Sequence, residues 1–132
     1  MPQLTCIVVT PEQTALETEA EFIALPLSDG EIGIAPGRAP LIGRLGYGEM
    51  RVRHGGKTLH YYVDGGFVQV AKDVVSVLTG RAIPAEKIDV AAAEKQLIAA
   101  KGPAPTDELF ALQEKAILQA RAQIQTAKKV GR

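Results

Sequence analysis

The stretch Asp29 to Gly48, DGEIGIAPGRAPLIGRLGYG, constrains this chain more than any other. It holds six glycines and two prolines among short apolar pairs. Glycine and proline interrupt a helix at every turn, so the segment cannot be helical. It reads as a strand over Glu31–Ile34, a tight turn at Pro36-Gly37, an extended piece Ala39-Pro40-Leu41-Ile42, and a further turn at Gly46–Gly48. Glycine supplies backbone angles that other residues avoid and proline fixes them, so this is a shaped loop. It serves either as turns between short strands or as a surface that meets another protein. A phosphate cradle does not fit. No Gly-Lys-Ser/Thr follows, the spacing from Gly43 to Gly48 is not a dinucleotide fingerprint, and no helix begins after it.

The residues on either side of this loop read as β. Leu4–Val9 is rich in β-branched residues, Ala15–Glu19 alternates, and Glu21–Leu27 closes at Ser28-Asp29-Gly30. Glu49–His54 alternates again, with Met50 and Val52 on one face and Arg51 and Arg53 on the other. His54-Gly55-Gly56-Lys57 is a hairpin turn, Thr58–Val63 returns, Asp64-Gly65-Gly66 reads as another turn, Phe67–Ala71 runs on, and Val74–Leu78 follows the turn at Lys72-Asp73. Short strands with turn signals every 8 to 12 residues predict an antiparallel β-sandwich or barrel over residues 1–83. A β domain of about 80 residues buries only a modest share of its surface and gains from a partner.

At Pro84 the composition changes: glycine nearly disappears and alanine dominates. Asp89 caps a predicted helix over Val90–Lys101, with Gly102 as its expected C-cap and Pro103 and Pro105 beyond it. Thr106 caps a longer helix to about Lys129, with Asp107 and Glu108 at its start and Lys128 and Lys129 at its end, which suits the helix dipole. On a helical wheel Leu109, Phe110, Leu112, Ala116, Ile117, Ala120, Ile124 and Ala127 share one broad face, Leu118 lies opposite, and Gln113 and Gln123 fall among the apolar group. The fold class is therefore β plus α: a sandwich over residues 1–83, then a two-helix antiparallel hairpin over 84–132. The hairpin either stays packed or detaches to find another partner.

Charge excludes some partners. The 132 residues carry 15 Lys and Arg against 15 Asp and Glu. A neutral chain is not held to nucleic acid by bulk electrostatics. Residues 84–132 are mildly basic and suit an acidic protein surface. Cys6 is the single cysteine and reads as a small buried hydrophobe. His54, placed in an exposed hairpin, and His60 show no metal-ligand spacing, and Asp64 reads as a turn residue. No catalytic constellation stands out, so the chain reads as a component and not an enzyme, with no cofactor. No leader and no run of about 18 apolar residues is recognised, so the chain is expected to be soluble.

Two stretches carry a family resemblance. GEIGIAPGRAPLI at Gly30–Ile42 and YYVDGGFVQV at Tyr61–Val70 resemble, in this order and with Val74–Leu78 and Ala82 following, the epsilon-subunit family of F-type ATP synthases (delta in mitochondria). The resemblance covers nearly the whole chain. It implies a central-stalk rotor subunit whose sandwich (1–83) packs on the gamma subunit and the c-subunit ring, and couples ring rotation to the catalytic head. It further implies a regulatory hairpin (84–132) that folds on the sandwich or extends toward the head, where the extended form inhibits ATP hydrolysis in many bacteria. The place implied is the cytoplasmic face of the bacterial inner membrane, with the membrane reached only through the complex.

By the same resemblance, Glu31, Arg38, Ala39, Pro40, Leu41 and Ile42 face the ring, with Arg38 where the family usually has histidine. Lys115, Arg121, Lys128 and Lys129 are the candidate contacts with the alpha and beta subunits in the inhibitory state. Some members bind ATP through Ile/Leu-Asp-x-x-Arg-Ala at the second helix. Here Asp107 and Ala111 remain, but Phe110 replaces the arginine, so Asp107 with Arg121 is a doubtful site and weak or absent binding is expected. The alternative reading is a free-standing β-sandwich that binds ATP and signals through its helices.

Overall fold

A computed structural model describes residues 3–104 and 106–130. Eight strands precede two helices: β1 Leu4–Val9, β2 Thr14–Ala20, β3 Phe22–Leu27, β4 Gly30–Ile34, β5 Leu41–His54, β6 Lys57–Ala71, β7 Val74–Leu78, β8 Ala82–Pro84, α1 Val90–Ala99 and α2 Asp107–Lys129. A single 3-10 turn, Ala85–Lys87, joins β8 to α1. The strand order is β2-β1-β7-β6-β5-β3-β4, with β8 paired to β6.

The predicted sandwich is present, with three differences from the reading of the sequence. First, β1 pairs with β7 in parallel, not antiparallel. The two strands are separated by most of the domain, so no tight hairpin dictates their direction. Second, β5 and β6 are not interrupted at Gly46–Gly48 or at Asp64-Gly65-Gly66. They stay in register from Leu41↔Val70 through Leu45↔Gly66 and Tyr47↔Asp64 to His54↔Lys57. These glycines mark close backbone approach. A Cβ on Gly46 would lie 3.0 Å from the Leu27 carbonyl oxygen, and one on Gly66 would overlap the Leu78 carbonyl oxygen. Third, β8 was not expected.

The two long strands build both layers. The C-terminal part of β6 pairs with β7, and its earlier part, Tyr61–Val63, pairs with β8. The later part of β5 pairs with β3. The turn between β5 and β6 is the predicted one: Gly55 and Gly56 have φ of 60° and 78°, the mirror-image turn that matches strand twist. Between the layers lies the core, including Leu4, Cys6, Val8, Ile23, Leu25, Ile34, Met50, Val52, Val63, Val68, Val75 and Val77, all with no exposed surface. Met50 and Val52 point inward while Arg51 and Arg53 point out, as alternation requires. Burial pushes the Cys6 thiol up to about 12, consistent with a packed hydrophobe.

Both helix starts follow the sequence. The Asp89 carboxylate accepts from the Ala92 N–H and the Thr106 hydroxyl from the Leu109 N–H. The first helix ends two residues earlier than predicted. Ala100, in right-handed helical angles, donates its N–H to the Gln96 carbonyl, and Gly102 is not in the left-handed region. Gln96 donates to the Ala116 carbonyl and Gln113 to the Gly102 carbonyl, closing the antiparallel hairpin. The wheel is only half realised. The buried side chains of α2 are Ala120, Gln123, Thr126 and Ala127, whereas Leu109, Phe110 and Leu112 stay exposed, Leu112 at 63%. Only the C-terminal half of α2 meets the sandwich, so only that half is selected for burial.

Candidate functional site

Three surfaces follow from this architecture. The loop 35–40 and the start of β5 form the first. Arg38, Ala39 and Pro40 are exposed, Leu41 is half-buried, and Ile42 is 75% exposed. These five expected ring-facing residues form one continuous projecting stretch. Glu31 does not join them. It lies at the start of β4, about 10 Å along the strand from Ile34, and its Oε1 accepts from Arg51 Nη2 at 2.8 Å.

The second surface is an outer sheet face that neither helix covers among the described residues, with Leu118 of α2 at its edge. Cross-strand register aligns Arg44 on β5 with Phe67 on β6, Phe67 with Leu78 on β7, and Leu78 with Val9 on β1. Phe67, Leu78 and Val9 are exposed, as is Ile42 one step along β5. The Arg44 guanidinium lies 5.9 Å from the Phe67 ring centroid. An acidic border, Glu17 and Glu19, comes from β2, the next strand outward from β1. Exposed apolar side chains in a row across three strands, with Ile42 beside them on β5 and charge at the border, describe an interaction face.

The third surface is the seam where α2 lies on β5 and β6. Two polar clusters hold it. Asp64 Oδ1 accepts from the Tyr62 hydroxyl at 2.7 Å and from Gln119 Nε2 at 2.9 Å, and its Oδ2 lies 3.6 Å from Arg81 Nε. Burial, then the bond to Asp64, raises the Tyr62 pKa. Asp64 is therefore a docking group for the helix, not the turn residue its Gly-Gly neighbours suggest. In the second cluster Glu49, only 7% exposed, accepts from Arg51 Nη1 at 3.0 Å and from His60 Nδ1 at 2.9 Å, with Lys129 Nζ 3.4 Å away. Burial alone would raise the Glu49 pKa. The bonds from His60 and Arg51 and the charge of Lys129 outweigh it and hold the carboxyl below its ordinary value. A small apolar cluster of Tyr62, Ala85, Ile88 and Ala127 packs at the same seam.

The four basic candidates on α2 divide. Lys129 is engaged with Glu49, while Lys115, Arg121 and Lys128 are exposed. Asp107 and Arg121 are not brought together: they sit on one helix, about 21 Å apart at 1.5 Å per residue. His54 is half-buried, not exposed, and its Nδ1 is a buried atom with no hydrogen-bond partner among the described residues. Among the described residues no group of three or more His, Cys, Asp or Glu is placed to hold a metal. No described helix is long and apolar enough to cross a membrane. Sequence reasoning missed Glu49, Tyr62, Asp64 and Gln119. The polar residues on the otherwise apolar face of α2, Gln123 among them, were the one available sign of a hydrogen-bonded seam.

Comparison with known proteins agrees with this architecture. Residues 3–85 match the family described as ATP synthase, Delta/Epsilon chain, beta-sandwich domain. The ATP synthase epsilon chain of Rhodopirellula baltica is 48% identical over 126 residues, covering 95% of this chain and 98% of that one. That of Myxococcus xanthus is 33% identical over 131 residues, covering 96% of each. A chain in the cryo-EM structure of the Euglena gracilis mitochondrial ATP synthase superposes with a TM-score of 0.82 at 25% identity, over 98% of this chain and 81% of that one. A chain from the central stalk and c-ring of the Tetrahymena thermophila enzyme shares the fold, with a TM-score of 0.74 at 12% identity over 94% of this chain and 96% of that one.

Proposed function

This chain belongs to the epsilon-chain family of ATP synthases, and we propose that it is the non-catalytic rotor subunit that couples the c-subunit ring to the catalytic head. In this reading the bare sheet face with Phe67, Leu78 and Val9 receives the gamma subunit. The loop carrying Arg38–Ile42 meets the polar loops of the ring. Residues 1–83 form the coupling unit and residues 84–132 the regulatory one. The chain acts peripherally, at the cytoplasmic face of a bacterial inner membrane, and touches the membrane only through the complex.

The observation that carries the reading is the division between one bare outer face and one covered face. The covered face is held by a seam of side-chain hydrogen bonds and ion pairs, while the bare face is apolar. A permanent partner suits the apolar face, because its burial is favourable and hard to reverse. A reversible partner suits the polar one. We read α2 as that reversible partner, docked here and able to extend toward the alpha and beta subunits. There Lys115, Arg121, Lys128 and a released Lys129 meet acidic surface and slow ATP hydrolysis. ATP binding by the hairpin is expected to be weak or absent, since Asp107 and Arg121 do not converge.

The test reconstitutes an epsilon-free core of alpha, beta and gamma subunits with the full chain or with one ending at Ile88. The cut falls at Ile88, beyond the 1–83 division, because β8 runs to Pro84 and Ala85 and Ile88 are buried. Both forms should bind, and only the full chain should slow hydrolysis. Failure of both to bind a core from the same organism refutes the stalk assignment. Binding without inhibition by either leaves coupling standing and removes the regulatory role.

A further inference from the structure

The loop 35–40 between β4 and β5 has no strand partner, and it carries the residues assigned above to the ring. Among the described residues, one hydrogen bond ties it to the rest of the molecule: the Gly37 N–H donates to Asp73 Oδ1 at 2.8 Å, across 36 positions of sequence. Gly37 has φ of 86° with open space around it, so its own contacts do not fix its place.

Asp73 is an unusual residue to find there. Lys72 and Asp73 form the two-residue turn between β6 and β7, closed by the pair Ala71↔Val74. Their φ values are 52° and 62°, and among the described residues they are the only non-glycines in the left-handed region. Such a turn is most easily made by glycine or asparagine. An aspartate that accepts this backbone cost has its carboxylate aimed at a second loop. Its main chain is anchored as well: the Asp73 carbonyl accepts from the Thr5 N–H at 2.8 Å, which fixes the turn to β1.

We propose that Asp73 is the positioning residue of the ring-facing loop. It holds the Gly37 peptide, and through the next peptide the direction of Arg38 and Ala39, against the rigid end of the sheet. The proposal rests on the ring-facing reading given above. A loop held in its bound shape loses less freedom on binding, so the tie acts on affinity and not on folding. Strain and function therefore point in opposite directions at this residue, which makes it testable.

Two variants of the full chain separate the roles. Asp73→Gly removes the acceptor and relieves the left-handed backbone. Asp73→Asn removes the same charge, keeps an oxygen for the Gly37 N–H, and tolerates the backbone angle. Each is assembled with the gamma subunit and titrated onto membrane vesicles that carry the c-ring stripped of the catalytic head. Amide exchange at Gly37 and thermal melting are read on the same proteins.

The Gly variant should melt at or above the wild-type temperature. It should lose protection at Gly37 and bind the ring about two- to tenfold more weakly, the range one hydrogen bond spans. The Asn variant should match wild type in all three. A Gly variant that binds as tightly as wild type overturns the positioning role while leaving the ring-facing reading intact. A wild-type chain that does not bind the vesicles overturns both.

Discussion

Replacing Glu49 with Gln tests the seam between helix and sandwich at its most buried charge. The substitution keeps size, turns one acceptor oxygen into a donor, and removes the charge that faces Arg51, His60 and Lys129. A hydrogen bond to a charged group contributes about 1.5–3 kcal/mol when buried. Here the glutamate side chain is 5% exposed, but those of Arg51 and Lys129 are 31% and 54% exposed. Water repays part of the loss on their side, and Arg51 keeps Glu31. A net cost of about 1–2 kcal/mol follows. For a chain of this size that lowers the melting temperature by about 3–8 °C.

The effect has a pH signature. The folded Glu49 carboxyl titrates below its ordinary value of 4.5, so the fold favours the ionised form. That stabilisation is complete above the unfolded pKa and is lost as pH falls through the folded one. The gap in melting temperature between wild type and Glu49→Gln should be full at pH 7 and should close in the acid range below about pH 4. A double-mutant cycle with Lys129→Gln at pH 7 should give a coupling of about 0.3–1 kcal/mol. A gap that stays constant from pH 7 to pH 3, or a Gln variant as stable as wild type at pH 7, refutes the account.

Three further outcomes are expected. Gly66→Ala should cost at least about 3 kcal/mol in a denaturant melt, or abolish folding, because φ of 108° and the Leu78 carbonyl both exclude a Cβ; a loss below 1 kcal/mol, roughly, would contradict the close approach. Leu78→Ser should leave the melting temperature within about 2 °C, since surface changes cost little, yet weaken pull-down of the gamma subunit; unchanged capture would move the stalk contact off this sheet face. Cys6 should react with a thiol reagent at pH 7 only as fast as the domain unfolds, because its side chain has no exposed surface and burial also holds the thiol protonated; rapid labelling of the native chain would disprove its burial.

Much of this architecture was legible from residue pattern. Alternation marked Met50 and Val52 as core, composition marked the break near Pro84, and Asp89 and Thr106 announced both helix starts. What stayed hidden depended on contacts distant in sequence. The dipeptide Gly-Gly occurs twice. At Gly55-Gly56 it makes a turn in open space, and at Gly65-Gly66 it lets a continuous strand pass close to β7. Local sequence does not separate the two cases, because what distinguishes them is Leu78, twelve residues away. Asp64 was hidden for the same reason: its partner Gln119 is 55 positions off. Leu109 and Phe110 fit the apolar period yet remain exposed, since the period tells which residues share a face and not how far the sandwich extends beneath it. The stretch Arg38–Ile42 was singled out only through family likeness; Asp73, which is hydrogen-bonded to its loop, carried no signal.

The seam is built of amides, hydroxyls and charges around a small apolar cluster, and that would govern a release of the hairpin of the kind proposed above. Gln119, Gln123, Thr126 and Lys129 on one side, and Glu49, Tyr62 and Asp64 on the other, are groups that water accepts readily. Each hydrogen bond given up is replaced by one to solvent. The apolar surface that parting would uncover is confined to the cluster around Tyr62, Ala85, Ile88 and Ala127. If α2 is the reversible partner proposed above, these polar contacts are what it leaves and returns to.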